Sequence, residues 1–455
     1  MAPALPDEIE GWMSEREWPI IVVGGGAAGL VAAIFAAEGG QRVLLLERTA
    51  TLGQKILIAG GGRCNVLPAE AHTGVFATAS PRAPLEAILQ AWPLAEQVRF
   101  FERTLGVRLK REGFATRVTP RHAGVVMTSR FGASGKLFPI SDQAREVRDA
   151  LVAEARGRGV TIWTQASLSG LAREGGDWRL EIGDWKSRPS RSTRQSPIFP
   201  PAASRSTLHA SRLILATGGL SVPATGSDGT GLRLAEALGH AVTPTYPALT
   251  PLLGGGAAHH ALAGVSLPVA LDAGGGAAVA EGGFLFTHRG YSGPAVLDVS
   301  HVVAGRGAGE RPTLLARWGE TTADEWTAAL VNARGGVLAV LRERLPERLA
   351  RQLVAEAGLS ETQRAAELPR AARQRLVDTL TRYRLPWTGD EGYPKAEVTG
   401  GGVRLDEVDP GTLASRHAPG LYLCGEMLDV FGPIGGYNFL WAWASGRAAG
   451  LGAAG

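Results

Sequence analysis

Three glycines and an acid stand at a spacing that suits one kind of chemistry. Gly24, Gly26 and Gly29 form G-x-G-x-x-G, and Glu47 follows 18 residues after Gly29. In a strand–turn–helix frame the first glycine makes the tight turn. The second lets the backbone approach a pyrophosphate, and the third lets the helix pack close to the sheet. A carboxylate at this distance accepts hydrogen bonds from an adenosine ribose. The triplet alone says little in a chain with 62 glycines; its frame decides. Ile20 to Val23 is a short apolar run of the kind that forms a strand buried on both faces. Ala27 to Glu38 predicts a helix whose first N–H groups point at phosphates. Gly39-Gly40 stop it, Arg42 to Leu46 predicts a second strand, and Glu47 ends that strand. The unit predicts dinucleotide binding.

Two further segments extend this chemistry. Gly53 to Asn65 contains Gly60-Gly61-Gly62 flanked by Lys55 and Arg63. It offers backbone donors and two cations to phosphate or flavin oxygens. Near the other end, Gly420 to Cys424 predicts a strand that stops at Gly425-Glu426. An acid in that position suits a carboxylate gripping a polyol such as the ribityl chain of FAD. Gly435-Gly436 then open a helix running from about Phe439 to Leu451. A positive helix N-terminus facing a flavin stabilises the reduced form by roughly 0.3–2 kcal/mol. The opening unit allows NAD, NADP or FAD; these distant partners narrow the expectation to FAD.

Composition sets the frame around these residues. A chain of 455 residues predicts two or three domains. With 45% hydrophobic and 20% charged residues it reads as globular, and no apolar run reaches the roughly 18 residues that span a bilayer. The N-terminus carries Asp7, Glu8, Glu10, Glu15 and Glu17, the opposite of a signal peptide's basic start. Cys64 and Cys424 are the only cysteines, so neither a disulfide framework nor a cysteine-rich metal site is expected. These features predict a cytoplasmic protein. The nine histidines show no metal-ligand spacing, and His259-His260 read as part of a loop. No metal is expected. The net charge of +4 is concentrated in Lys186 to Arg212, which is rich in Ser and Pro and has no acid. It reads as a disordered insertion over about 186–207 rather than a nucleic-acid tail.

The remaining pattern assigns elements. Residues 84–105 read as helical, and Ser141 to Arg156 as an amphipathic helix that Ser141 caps. Strands are expected at Gly159 to Ile162, Ser167 to Leu171, Trp178 to Ile182 and Leu208 to Leu215. The last ends in Ala216-Thr217-Gly218, which in flavoproteins with two dinucleotide domains returns the chain to the cofactor. A short helix, Leu232 to Leu238, follows. From His240 to about Gly309, short runs such as Val265 to Leu271 and Phe284 to Thr287 alternate with Gly and Pro, predicting a β-rich module. From Thr322 to Tyr383 helical signals dominate. The chain is read as α/β: an FAD-binding domain over 18–240 and 391–455, interrupted by a β-rich module over 241–310 and a helical module over 311–390.

These segments together resemble the aminoacetone oxidase-like, or BaiN-like, family of bacterial flavoproteins. The matching pieces are Gly24 to Gly29, Gly53 to Asn65, Gly135 to Ser141, Ala216 to Gly231, Phe286 to Pro294 and Val398 to Val403. The last is Gly425 to Asp429 with Gly435 to Asn438 and Trp441-Ala442-Trp443. The resemblance implies a discontinuous Rossmann-like FAD domain with a β-barrel-like insert and a helical insert. It implies cofactor contacts from Gly24, Gly26, Ala27, Ala28, Gly29, Glu47, Arg48 and Lys55. Gly62, Arg63, Cys64, Asn65, the backbone of Leu168, Thr217 and Gly218 add to these, and Gly425, Glu426, Gly436, Tyr437 and Asn438 close the flavin end. Phe431 stands where relatives carry an acid and Leu440 where they carry a polar residue. Arg111 to Ser134 and the basic stretch 186–207 look like insertions.

The expected activity is FAD-dependent oxidoreduction of a small organic molecule by hydride transfer, which explains why no nucleophile–base set is visible. The expected partner is a small-molecule substrate, with no membrane and no nucleic acid. Tyr437, Asn438 and Lys395 are candidate proton-transfer residues. No second nucleotide fold is seen, which favours an oxidase or a reductase served by NAD(P)H as a transient hydride donor. Disulfide reduction is excluded by the lack of C-x-x-C. An RNA-modifying flavoprotein, prompted by the basic stretch, and a flavin-binding redox sensor without turnover are the alternatives.

Overall fold

The computed structural model describes residues 17–113, 117–119, 135–184, 206–274, 279–305 and 312–455. The N-terminal acidic residues before Glu17, nearly all of the basic stretch and most of Arg111 to Ser134 lie outside them.

The apolar run at the start forms β1 (Glu17–Val23), whose Ile20, Ile21 and Val22 are fully buried. It pairs in parallel with β2 (Val43–Leu46) on one side. Between the two runs α1 (Ala27–Ala36). This helix stops short of Glu38, because Gly39 and Gly40 take left-handed φ values of 104° and 83°. The segment 84–105 is not one helix. Pro93, which has no N–H to donate, divides Arg82–Ala91 from Leu94–Arg99, and a π turn over Phe100–Thr104 follows. The helix expected from Ser141 is α2 (Ala144–Gly157), and Ser141 does not cap it. Asp142 has φ 57° and donates its N–H to Pro139 O at 3.0 Å, a turn that delays the helix.

The sheet is completed by β3 (Thr161–Trp163), β4 (Ala166–Glu174), β5 (Asp177–Asp184) and β6 (Ser206–Leu215). Its order is β3-β2-β1-β6-β5-β4. β3, β2, β1 and β6 run parallel, and β4, β5 and β6 form an antiparallel meander. β7 (Val242–Ala248) leaves this unit and β8 (Val398–Val403) returns beside it, antiparallel. The final strand, β9 (Leu421–Leu423), adds in parallel to the end of β6. Parallel strands all point the same way, so the C-terminal ends of β1, β2, β6 and β9 share one edge.

Between β7 and β8 lies a second core around Phe284, Phe286, Tyr291, Trp318 and Trp326. Its sheet is antiparallel, with Ser266–Asp272 and Val279–Phe286 at the centre. Strands Leu315–Trp318, Tyr383–Arg384 and Trp387–Asp390 come from the stretch read as helical, yet they pair into this same sheet. Arg117–Thr119, from the segment read as an insertion, adds to Val279–Phe286. His259 is not in a loop. It sits on the short helix Gly256–His260, 2% exposed, between Tyr291 Oη at 2.7 Å and Tyr383 Oη at 3.0 Å. It therefore fills a buried polar gap in the second core.

The last element, α3 (Tyr437–Ala454), packs along α1. Small residues make this possible. A Cβ on Gly446 would lie 2.4 Å from Ala28 O, and one on Gly450 2.4 Å from Ala32 O. The pairing 446 with 28 and 450 with 32 makes the two helices parallel. α3 is long, but among the described residues no helix is long and apolar enough to cross a membrane. Gly446→Ala tests the contact. Helix propensity alone favours alanine by about 1 kcal/mol, whereas overpacking against Ala28 costs about 1–3 kcal/mol. We expect a lower thermal midpoint by circular dichroism; an unchanged or higher midpoint contradicts the close packing.

Candidate cofactor and active site

A cavity of about 420 Å³ opens along the shared C-terminal edge. It is lined by Val23 and Gly24 after β1, Leu46 and Glu47 at the end of β2, Ala216 to Gly218 after β6, and Gly425 and Glu426 after β9. Ligands bind at this edge of open α/β sheets because the strand connections diverge there.

The three glycines differ as their roles require. A Cβ on Gly24 would strike Ala216 O at 2.3 Å, and one on Gly29 would strike Gly24 O at 1.8 Å. Both are packing positions, and Gly29 does not line the cavity. A Cβ on Gly26 would meet no protein atom within 4 Å, so it would occupy the cavity itself. Ala27 and Ala28, the first residues of α1, also line it.

Glu47 is buried and partly committed. Its Oε2 accepts from Gly25 N at 2.8 Å, and its Oε1 accepts from Thr49 N at 2.7 Å and Thr49 Oγ1 at 2.8 Å. A carboxylate has about four acceptor sites, so one remains for a ligand hydroxyl. Arg48 pairs with Asp228 at 2.5 Å and donates to Gly226 O at 3.2 Å.

Glu426, expected to grip a polyol, lines the cavity and is held by four contacts within the protein. Its Oε1 accepts from Ser221 Oγ, from Thr399 N at 3.1 Å and from Thr399 Oγ1 at 3.0 Å, and its Oε2 pairs with Lys55 Nζ at 2.6 Å. It thus holds Lys55 in place, and Oε2, with that one partner, keeps an acceptor site at the cavity wall. Ser221 and Thr399, which the sequence did not single out as contacts, build this anchor. Ser221 follows the A-T-G segment by three residues and Thr399 is the threonine of V-T-G, and only the fold brings them to Glu426.

Asn65, with its amide oriented to satisfy both neighbours, accepts from Gly436 N at 3.0 Å and donates to Leu67 O at 3.3 Å. It thus fixes the residue that starts α3. Gly436 has φ 96°, and a Cβ there would fall 2.3 Å from Leu67 C. Asn438 lines the cavity, but its side chain clamps Gly432 from both sides, at 2.9 Å to the N–H and 2.9 Å to the carbonyl. Leu168 and Gly218 line the cavity as expected.

Several expected contacts lie elsewhere. Arg63 does not line the cavity: its guanidinium lies 4.3 Å over the Phe138 ring and bonds Asp142 and Glu112. Cys64 is fully buried and Gly62 serves the turn before it. The Tyr437 hydroxyl donates to Glu70 O at 2.9 Å, away from the cavity lining. Lys395 is exposed and outside the lining. Phe431 and Leu440 are buried and also outside it, with Phe431 packed edge-on to His301 at 5.6 Å. Lys136 and Glu397 are among the cavity residues that were not expected as site residues.

The cavity fits FAD at the start of α1. Gly26 leaves open space there where a pyrophosphate would meet the first N–H groups of the helix.

Residues 18–128 and 121–452 match the HI0933-like protein Rossmann domain family. The chain belongs to this family. It is 32% identical over 436 residues to the ribosomal RNA dihydrouridine synthase of Escherichia coli K12, covering 94% of this chain and 96% of that one. It is also 32% identical over 445 residues to the 3-dehydro-bile acid delta(4,6)-reductase of Clostridium scindens, covering 95% and 98%. Among solved structures it shares the fold of a 3-ketosteroid-delta4-(5alpha)-dehydrogenase from Rhodococcus jostii RHA1, with TM-score 0.50, 16% identity and 97% of each chain covered. The family member is an FAD-dependent oxidoreductase.

Burial pushes both thiols, Cys64 and Cys424, up to about 12. At pH 8 their thiolates are then about a thousandfold scarcer than that of an ordinary cysteine. Ellman's reagent should label neither cysteine in the native protein and both after denaturation. Rapid labelling of Cys64 in the native state contradicts an inert thiol.

Proposed function

We propose that this chain reduces a carbon–carbon double bond conjugated to a carbonyl in a small organic molecule, with NADH or NADPH as the electron source. The observation that carries the reading is the pair of helix starts opening into one cavity. Ala27 of α1 lies level with residue 445 of α3 in the observed register. α3 begins eight residues earlier, so its start is offset by about 12 Å. One ligand with phosphates at one end and an electron-accepting ring at the other suits this spacing.

Bound FAD supplies two-electron hydride chemistry that side chains lack. The chain's residues bind and orient it. Gly26 and the N–H groups of α1 would receive the pyrophosphate, and the spare acceptor of Glu47 would take a ribose hydroxyl. Lys55, braced by Glu426, provides a fixed cation, and the positive start of α3 faces the far end.

The substrate class is supported by the two curated relatives. A uridine ring and a 3-keto-delta(4,6) steroid share a double bond conjugated to a carbonyl. The relative named for ribosomal RNA also supports a second reading, in which the double bond belongs to a uridine in RNA.

Purified protein should show flavin bands near roughly 375 and 450 nm. The bands should bleach on anaerobic addition of NADPH or NADH and return on adding 4-androstene-3,17-dione. Return only with a uridine-containing RNA, and with steep salt dependence, selects the second reading. Return only with oxygen identifies an oxidase and overturns both.

A further inference from the structure

Seven ionisable side chains line the cavity: Glu47, Arg48, Lys55, Lys136, Asp228, Glu397 and Glu426. Five are already engaged in the contacts described above. The side chains of Lys136 and Glu397 make no hydrogen bond or ion pair among the described residues. Ionisable groups facing a ligand cavity without protein partners are placed to meet the ligand.

Both stand at the α3 end. Lys136 begins the strand Lys136–Pro139, and its Cε lies 3.6 Å from where a Cβ on Gly435 would sit. Glu397 immediately precedes β8, with its N–H donating to Leu249 O at 3.2 Å. Its neighbour Val398 packs in a small cluster with Ile434. A carboxyl and an ammonium therefore face the same end of the cavity from two different elements.

We infer that Glu397 is the proton donor of the reaction and that Lys136 holds the negative charge developing on the substrate carbonyl. This rests on the double-bond reduction proposed above. In that reaction one carbon receives a hydride, whose electron pair derives from NADH or NADPH. The carbon next to the carbonyl receives a proton. The Glu397 O–H bond breaks to give that proton, leaving a carboxylate that solvent reprotonates. The double bond becomes single, the nicotinamide is oxidised, and the atoms and charge balance.

The environment suits this role. Loss of water raises the Glu397 carboxyl above its ordinary range, while Lys136 works against the rise. Glu397 is exposed to the cavity rather than packed, so a ligand filling the cavity removes more water and strengthens the effect. The other titratable groups nearby are spoken for. Lys55 and Glu426 hold each other, Asp429 accepts from Ser80 and Thr243, and burial raises Tyr246 on β7 to about 12. The sequence candidates are less suited, since the Tyr437 hydroxyl and the Asn438 amide are committed and Lys395 lies outside the lining.

The test compares wild type, Glu397→Gln and Lys136→Met, each loaded with FAD. All three should fold and bind FAD equally, by thermal midpoint and absorbance. A pH titration of the bound FAD spectrum should show a transition in wild type that Glu397→Gln lacks and Lys136→Met moves to higher pH. In single-turnover experiments NADPH should bleach Glu397→Gln at the wild-type rate. Recovery with 4-androstene-3,17-dione should slow by about 10²–10⁴-fold. A Glu397→Gln protein that keeps both the transition and the recovery rate overturns the inference. If the steroid fails to restore even the wild-type bands, the double-bond reading is at fault. The spectral titration still decides on Glu397, because its persistence in Glu397→Gln removes Glu397 from the site.

Discussion

The site depends on one contact: the face-to-face packing of α1 and α3 through glycine and alanine. A helix pair joined by larger side chains sits 8–10 Å apart. Here the backbone of Ala28 and Ala32 occupies the space where Gly446 and Gly450 have no Cβ. Because the helices are parallel, their register sets the distance between their two positive ends. The same contact brings Gly425 beside Ala28, where a Cβ would lie 2.8 Å from the Ala28 Cβ, and lets Trp441 Nε1 donate to Gly425 O at 3.1 Å. The strand end after β9 is thereby held at the start of α1. Chain ends some 400 residues apart become two walls of one cavity, and neither wall can be positioned without the other.

Charge in the cavity follows from the cost of leaving it unpaired. Lys55 and Glu426 come from opposite ends of the chain and are half-buried, so each needs the other once water is reduced. Ser221 and Thr399 occupy Oε1 of Glu426 and make the arrangement rigid. Arg48 and Asp228 serve the same purpose beside Gly226. Against this background, Lys136 and Glu397, which face the cavity without a hydrogen bond or ion pair among the described residues, are exceptions.

Local elements were legible because they obey local rules. The Gly24–Gly29 turn, the buried run before it and the helix stop at Gly39-Gly40 all follow from backbone conformation, which sequence reports directly. Glu47 was placed at the end of the second strand by spacing, and it lines the cavity there. Arg63 was misread because its flanking glycines suggested a phosphate loop. Its actual partners, Glu112 and Asp142, are 49 and 79 residues away. Glu426 was legible by its position after a strand, but its ion pair was not, since Lys55 lies 371 residues earlier. Lys136 lies in the Gly135 to Ser141 segment, where nothing marks it as a cavity residue, and Glu397 carries no local signal, since it only precedes a glycine-rich strand. Their relation exists only once β8 is laid beside the strand from 136.

The second core explains why such residues meet. Its helix Pro294–Ala304 carries the buried Asp298, whose Oδ1 accepts from Ile434 N at 2.8 Å. His301 on the same helix packs against Phe431. The loop leading into α3 is thus held from one side by Asn438 and Asn65 of the first unit and from the other by the inserted core. Glu397 lies where the chain leaves that core. The Gly24–Gly29 end of the cavity is built from the first unit, whereas the α3 end is a seam between two cores. Changes in the inserted core can therefore reshape the α3 end without disturbing the α1–α3 register. A family sharing one cofactor frame can in this way carry members named for substrates as different as ribosomal RNA and a bile acid.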